Sequence, residues 1–277
     1  MKKIVAILTG STVGIFILFL ILLIPILMIL SFFGVDLTDE YVEHNMEYAE
    51  DYRATLNKYL KNGDGYVPLT RILYFYTEDD SLTFDEIYED NLDKEEHRLM
   101  EISKVCELDK YKDMAACESY ESSNQVDVEQ NKPFVPPIDM SKIYVTSFFM
   151  EERVVFGKYD NHSGWDLASK NGDEIYSVCD GVVTFVGFTQ LENVTNTSGG
   201  LGNYISVDCN VGEVKYTVMF GHLYPNSSKV RMGDVVKAGQ VIATEGTTGY
   251  STGPHLHYQV RLNGQNIDGM SLVNFAE

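Results

Sequence analysis

The chain has 277 residues, room for one large domain or two modest ones, and a formal net charge of −20. Its 21 Lys and Arg are outnumbered by 41 Asp and Glu, which argues against nucleic acid as a partner because phosphate contacts need a basic surface. The same balance argues against tight contact with anionic lipid head groups.

The first predicted element is a membrane span. Lys2 and Lys3 precede an almost wholly apolar run from Ile4 to Val35, longer than the roughly 20 residues that a helix needs to cross a bilayer. The alternative is a cleaved signal peptide, whose apolar core is only roughly 7–15 residues long and ends at a small-residue cleavage site. We therefore expect residues 1–35 to be a cytoplasmic tip and an uncleaved single-pass anchor in the cell membrane, with the bulk of the chain extracytoplasmic.

Residues 36–121 are predicted to form an acidic, mainly helical module outside the membrane. Apolar side chains recur at helical spacing over residues 36–62, and residues 93–111 give a second clear helix. The apolar run at 67–76 fits either a short strand or a buried helix, and Thr83–Glu86 has the form of a capping box. The module is expected to space, dock or oligomerise, and it is the candidate contact for envelope machinery.

The composition changes after a linker. Residues 122–141 are polar and then Pro-rich, and from residue 142 to 277 short runs rich in Val, Ile, Tyr and Phe alternate with Gly, Asn and Asp turns. This pattern predicts a mainly β domain, a barrel or a sandwich, large enough to bury its own core. Strands are expected at residues 143–149, 174–179, 181–188, 203–209, 214–223, 240–246 and 256–262.

Four cysteines follow the apolar run: Cys106, Cys117, Cys179 and Cys209. An even number in an exported chain permits disulfides, and four cysteines allow three pairings. Pairing within each half, Cys106 with Cys117 and Cys179 with Cys209, is the simplest, and four buried free thiols are the alternative. The CxxC spacing of a cysteine metal site is missing from the sequence.

Four of the six histidines fall in the β domain. His162 and Asp166 are four residues apart in HSGWD, and His222 ends a strand-like run. His255 and His257 are two apart in HLH, so a strand would project both imidazoles from one face. Catalytic zinc takes three ligands of these types and keeps a fourth position for a water whose pKa it lowers. A structural zinc would take four ligands and leave one of the five groups idle.

From about Ile143 to Asp268 the sequence resembles the lysostaphin or LytM-type zinc metallopeptidases, which cleave the peptide part of peptidoglycan. The similar blocks occur in order: YVTSFFMEER, HSGWDLAS, IYSVCDGVVTFVG, GGLGNYISV, YTVMFGHLY and KVRMGDVVKAGQVIATEGTTGYSTGPHLHYQV. One block departs from the family, whose Ser-x-Phe-Gly-x-Arg reads SFFMEER here, with Met150 where Gly is common. The resemblance implies a LytM-like domain of antiparallel β-sheets or an open barrel, following the membrane helix and the small α module.

The resemblance also implies roles for the five residues. His162, Asp166 and His257 would hold one zinc ion, while His222 and His255 would face the open coordination position, steer the attacking water and stabilise the oxyanion. The expected function is a membrane-anchored zinc metalloendopeptidase acting on stem peptides or crossbridges of peptidoglycan, suited to local wall opening by a conjugation or secretion machine or in division. The alternative is a catalytically silent scaffold that acts by protein contact at the envelope, although such members usually lack part of the site.

Overall fold

The computed structural model describes residues 37–62, 64–78, 80–92, 132–170, 172–188 and 200–275. The predicted membrane span, the predicted helix at 93–111 and the pair Cys106 and Cys117 lie outside these ranges, so each of them stays a prediction. Over the ranges that are described, no helix combines the length and the apolar character needed to cross a membrane. The contacts divide the chain into residues 1–47 and a compact unit of residues 48–277.

The described part of the module contains three α-helices: α1 (Leu37–Asn62), α2 (Leu69–Glu78) and α3 (Phe84–Asn91). The helix predicted at 36–62 is confirmed over residues 37–62, and the ambiguous apolar run is helical because most of it lies in α2. The predicted capping box is confirmed at the start of α3. Thr83 Oγ1 accepts the Glu86 N–H at 3.2 Å, and the Thr83 N–H donates to the Glu86 carboxylate at 2.9 Å.

Over its described residues the β domain contains twelve strands and two short 3-10 helices, Met140–Lys142 and Gly269–Leu272. The strands are β1 (Tyr144–Ser147), β2 (Glu152–Val155), β3 (Lys158–Asn161), β4 (Trp165–Ala168), β5 (Glu174–Tyr176), β6 (Gly181–Gly187), β7 (Tyr204–Val211), β8 (Val214–Gly221), β9 (Val235–Val236), β10 (Val241–Thr244), β11 (Leu256–Leu262) and β12 (Gln265–Ile267). All seven predicted strands are present. Strands β2, β3, β4, β9 and β12 were not predicted.

Eight strands form one antiparallel sheet in the order β1-β4-β11-β8-β7-β6-β9, with β12 added to β11. Strands β2 and β3 form a separate hairpin, and β5 pairs with β10. Among the described residues, β1 and β9 end the order without pairing with each other, so the large sheet is open. The fold is therefore the antiparallel β-sheet domain that the sequence predicts, and it is preceded by a small helical module.

The middle of the large sheet carries the motif residues. Strand β11 lies between β4 and β8, and its His257 is in register with Asp166 on one side and Gly221 on the other. His222 directly follows Gly221, so the register alone brings the HxxxD, HxH and FGHL segments together. A disulfide joins Cys179, just before β6, to Cys209 on the neighbouring β7, which confirms that pairing.

The edge strand β1 is covered by the helical module. The Asn57 side chain of α1 forms hydrogen bonds with both backbone groups of Val145. It accepts the Val145 N–H at 2.7 Å and donates to the Val145 carbonyl at 3.1 Å. An uncovered edge strand offers unpaired backbone groups to other chains, and a helix over the edge removes that hazard. The module thus packs directly against the β domain, on the side where β1 and β4 lie.

Candidate metal and active site

Three donor atoms from His162, Asp166 and His257 converge in the buried centre of the domain. His162 Nε2 lies 3.0 Å from Asp166 Oδ1 and 3.1 Å from His257 Nδ1, and His257 Nδ1 lies 2.8 Å from Asp166 Oδ1. Tetrahedral zinc with bonds of about 2.0–2.1 Å holds its donors roughly 3.3 Å apart. The observed separations are a few tenths of an ångström shorter, so this donor set fits zinc in both chemistry and spacing.

A hydrogen bond at Nδ1 of His162 leaves its Nε2 available to bind the metal. His162 Nδ1 lies 2.9 Å from the Phe148 carbonyl, which can only accept, so Nδ1 carries the proton and Nε2 keeps its lone pair. Burial lowers the pKa of His162 to about 4, against the opposing influence of Asp166. The imidazole is therefore neutral near pH 7, as a metal ligand must be.

Arg153 of β2 fixes the carboxylate ligand. Its Nη1 donates to Asp166 Oδ2 at 2.7 Å, which leaves Oδ1 among the metal donors, and its Nε donates to Asp160 at 3.1 Å. Burial alone would raise the pKa of Asp166, but charge interactions and hydrogen bonds with His162 and His255 hold it well below its usual range. The sequence did not assign Arg153 a role; its one signal was its place at the end of the SFFMEER block.

His222 and His255 lie beside the metal donors with matching orientations. His222 Nδ1 is 2.7 Å from the Thr248 carbonyl and His255 Nδ1 is 2.8 Å from the Gly253 carbonyl. Each ring therefore donates a hydrogen bond from Nδ1 to the backbone. Their centroids are 4.6 Å apart, and His255 Nε2 reaches to 3.4 Å from Asp166 Oδ1. The structure thus brings together all five residues that the sequence singled out.

The two imidazoles differ in basicity. Burial lowers the pKa of His222 to about 3. Burial also acts to lower the pKa of His255, but the Asp166 carboxylate outweighs it, and the net shift is upward. Titratable groups whose pKa values are pushed apart are suited to different acid and base roles.

Two residues of the site region have positive φ without being glycine. His222 has φ +59 and is held by its N–H, which donates to the Leu201 carbonyl at 2.7 Å. Met150, at the position where the family commonly has Gly, has φ +60, and its N–H donates to the His162 carbonyl at 2.8 Å. Such conformations are costly for residues with a side chain and cluster at functional sites.

Two glycine-containing segments near the site, residues 200–203 and 246–251, are packed together. A Cβ on Gly249 would lie 2.4 Å from the Gly202 nitrogen, so the backbones approach too closely for any side chain. The Tyr250 N–H donates to the Gly200 carbonyl at 2.9 Å, and the Tyr250 hydroxyl donates to the Val155 carbonyl of the β2–β3 hairpin at 2.6 Å. Three separate segments are therefore tied at Tyr250.

Trp165, next to the ligand Asp166, packs in the core. It is 1% exposed, its Nε1 donates to Asp268 Oδ1 at 3.0 Å, and its ring meets Tyr66 of the helical module edge to face at 5.4 Å. The Tyr66 hydroxyl donates to the other Asp268 oxygen at 2.6 Å. Asp268 is itself half-buried, and desolvation raises its pKa.

Comparisons with known proteins show what the β domain is similar to. The model of Peptidase family M23 matches residues 160–269. Peptidoglycan DD-endopeptidase ShyB of Vibrio cholerae is 34% identical over 136 residues, which cover 48% of this chain and 29% of that protein. Glycyl-glycine endopeptidase ALE-1 of Staphylococcus capitis is 38% identical over 103 residues, covering 37% of this chain and 25% of that protein.

Among solved structures, the catalytic domain of the antimicrobial peptidase lysostaphin from Staphylococcus simulans matches with 28% identity and a TM-score of 0.38, covering 46% of this chain and 90% of that one. The chain spans less than a third of the length of the curated relatives it matches. The predicted family and the predicted zinc ligands are confirmed. Residues 160–269, with the metal site of His162, Asp166 and His257 intact, form a domain of peptidase family M23.

Proposed function

We propose that this chain is a zinc metalloendopeptidase that hydrolyses peptide bonds in peptidoglycan. The main support is the donor triangle of His162, Asp166 and His257, with sides of 2.8 to 3.1 Å, flanked by the imidazoles of His222 and His255. The two endopeptidases to which the chain is similar act, by their names, on peptidoglycan and on glycyl-glycine bonds. Peptide bonds of the wall are therefore the substrate class that we assign.

Zinc, when bound, polarises a carbonyl and makes a water acidic enough to attack near neutral pH. The chain's own residues prepare that chemistry. His162 is neutral, with its Nε2 lone pair free, and Asp166 is ionised, so both are in the protonation state that a metal requires. Arg153 donates a hydrogen bond to Asp166 Oδ2, so Asp166 Oδ1 remains available for the ion.

The two flanking imidazoles divide the proton handling in this proposal. His222 is neutral, because burial lowers its pKa to about 3, and it accepts a hydrogen bond at Nε2 from the attacking water. His255, whose Nε2 lies 3.4 Å from Asp166 Oδ1 beside the metal donors, would donate from Nε2 to the carbonyl oxygen as negative charge develops there. Both rings are aligned for this by their Nδ1 hydrogen bonds to backbone carbonyls.

The test is the release of peptide fragments from purified cell wall, analysed by mass spectrometry. The full chain is expected to release fragments that depend on zinc, and His255→Ala is expected to release none while keeping its zinc. The alternative function, a silent scaffold at the envelope, predicts no fragments from either protein in the presence of bound zinc. That result would overturn the proposed enzyme.

We also propose that the apolar run of residues 4–35 anchors the enzyme in the cell membrane, with the peptidase domain on the outer side. The support is the length of the run and the two lysines before it. The full chain is then expected in the membrane fraction after alkaline carbonate washing, and its C-terminal domain is expected to be accessible to protease added to cells without a wall. Recovery of the full chain in the carbonate supernatant would contradict the anchor.

A further inference from the structure

We propose that Arg53 of the helical module is a positioning residue for the zinc ligand His162, acting through Glu151 and the backbone of Phe148. The inference rests on the proposed function, because it gives the module a part in holding the metal site of the enzyme. It assigns residues 48–92 to the catalytic unit, as the support behind one side of its zinc site.

The link begins at Glu151, in the short segment between β1 and β2. Its side chain is 4% exposed, and one of its oxygens forms an ion pair with the Arg53 guanidinium of α1. The other oxygen, Oε2, accepts the Phe148 N–H at 3.0 Å. The carboxylate therefore connects a side chain of the module to the backbone of the β domain.

The backbone on which Glu151 acts is the one that orients His162. The Phe148 carbonyl accepts the His162 Nδ1–H at 2.9 Å and also the Glu151 N–H at 3.2 Å. The Glu151 carbonyl accepts the His162 N–H at 3.0 Å. Main chain and imidazole of the ligand are thus both bonded to a turn whose shape Glu151 holds.

Charge makes Arg53 necessary to this arrangement. Glu151 is only 4% exposed, and the Arg53 guanidinium is the cation paired with its carboxylate. A buried carboxylate whose cation is removed is left unpaired, which is costly and favours rotation of the side chain toward water. That rotation would break the bond to the Phe148 N–H and release the turn.

A second contact brings α1 to the same place. The Tyr52 ring, next to Arg53 in the helix, meets the Phe148 ring edge to face with centroids 5.1 Å apart. One turn further along α1, Asn57 holds both backbone groups of Val145. The helix therefore contacts the segment of residues 145–151 at three points, and the ion pair is the one of the three that involves charge.

The experiment measures the zinc affinity of the metal-free full chain by competition with a chelator. Arg53→Gln is expected to weaken zinc binding roughly threefold to tenfold, since partners that bond directly to a ligand change metal affinity by 10–100-fold and Arg53 acts one bond further out. The matched control is Lys58→Gln, because Lys58 lies on the same helix but pairs with Asp85 inside the module at 2.5 Å, with both side chains about half exposed. It is expected to leave the zinc affinity unchanged.

A second variant covers the case in which Arg53→Gln fails to fold. Arg53→Met with Glu151→Leu removes both charges, so that no buried ion is left unpaired, but it also removes the acceptor of the Phe148 N–H. We expect this double variant to fold and to bind zinc more weakly than the wild type. The absorption spectrum of the cobalt-loaded protein is expected to shift in the same variants, because the ligand His162 is displaced.

Two results would overturn the proposal. One is an equal zinc affinity for Arg53→Gln and Lys58→Gln. The other is a folded double variant that binds zinc as the wild type does, which would make the ion pair a purely structural tie. Zinc binding is measured without substrate. A wild-type protein that bound zinc and released no wall fragments would contradict the proposed function, but the zinc affinities of the variants would still test the role of Arg53.

Discussion

Arg153 Nη1 donates to Asp166 Oδ2 at 2.7 Å, while Asp166 Oδ1 lies within 3.0 Å of the donor nitrogens of His162 and His257. One residue of the β2–β3 hairpin therefore decides which carboxylate oxygen faces the metal. The hairpin is a two-stranded sheet separate from the large sheet that carries Asp166 and His257, and His162 directly follows the hairpin, so the zinc site depends on two sheets meeting.

Replacing Arg153 with Met is expected to weaken zinc binding by about 10–100-fold, because the freed oxygen and the lost charge leave the carboxylate poorly oriented. Chelator competition on the metal-free protein measures the change. Arg231→Met is a matched control, since Arg231 is exposed and remote in sequence from the ligands. Equal affinities for the two variants would show that the Arg153 contact does not hold the ligand.

Met150→Gly is expected to stabilise the fold by up to about 1 kcal/mol. At φ +60 a side chain is strained and glycine is not, although glycine loses more backbone entropy on folding. Urea unfolding measures the change, with Met232→Gly as the control, because Met232 is 71% exposed and has an ordinary backbone conformation. A Met150→Gly protein as unstable as the control would mean that the turn is not strained.

The stability of the protein is expected to fall as the pH drops from 6.5 toward 3, partly through His222. Its pKa is about 3 in the folded state against 6.5 for the free imidazole, so in this window only the unfolded chain takes up the proton. His222→Asn does not titrate there and tolerates the positive φ. The unfolding free energy of the variant should therefore depend less steeply on pH, by a total on the order of a few kcal/mol. Parallel curves for the two proteins would contradict the low pKa.

Removing the disulfide by replacing both Cys179 and Cys209 with Ala is expected to destabilise the fold by about 3–4 kcal/mol. The bond closes a loop of 30 residues, and its loss gives the unfolded chain more conformational freedom. The urea midpoint of the double variant, compared with that of the oxidised wild type, measures the effect. An unchanged midpoint would mean that the β6–β7 pairing holds this region without the cross-link.

Much of the site could be predicted from the sequence because the two-residue period of a strand determines which side chains share a face. The two-residue spacing of His255 and His257 fixes both on one face of β11, and the five site residues are chemically distinctive. The seven predicted strands share alternation and clear turn signals. The sequence showed strands such as β2 and β3 less clearly, because ERVV and KYDN do not alternate apolar with polar residues and most of their side chains are exposed or half-buried.

The supports of the site were the harder part to predict. Arg53 and Glu151 are 98 residues apart, and each is an ordinary charged residue in an acidic chain. Nothing in their local patterns indicates that they meet, because the docking of α1 on β1 is a tertiary contact. The departure at Met150 was visible as a substitution, but its positive φ became clear only from the structure.

The measurement that tests the central claim most directly is wall digestion by the zinc-loaded full chain in ¹⁸O-labelled water, followed by mass spectrometry of the released fragments. Hydrolysis of a peptide bond predicts one labelled oxygen in each new carboxyl group and a free amine on its partner fragment, with neither produced by His255→Ala. Fragments that carry the label in a sugar, or no labelled fragments from protein that retains its zinc, would contradict the assignment of this chain as a peptidoglycan endopeptidase.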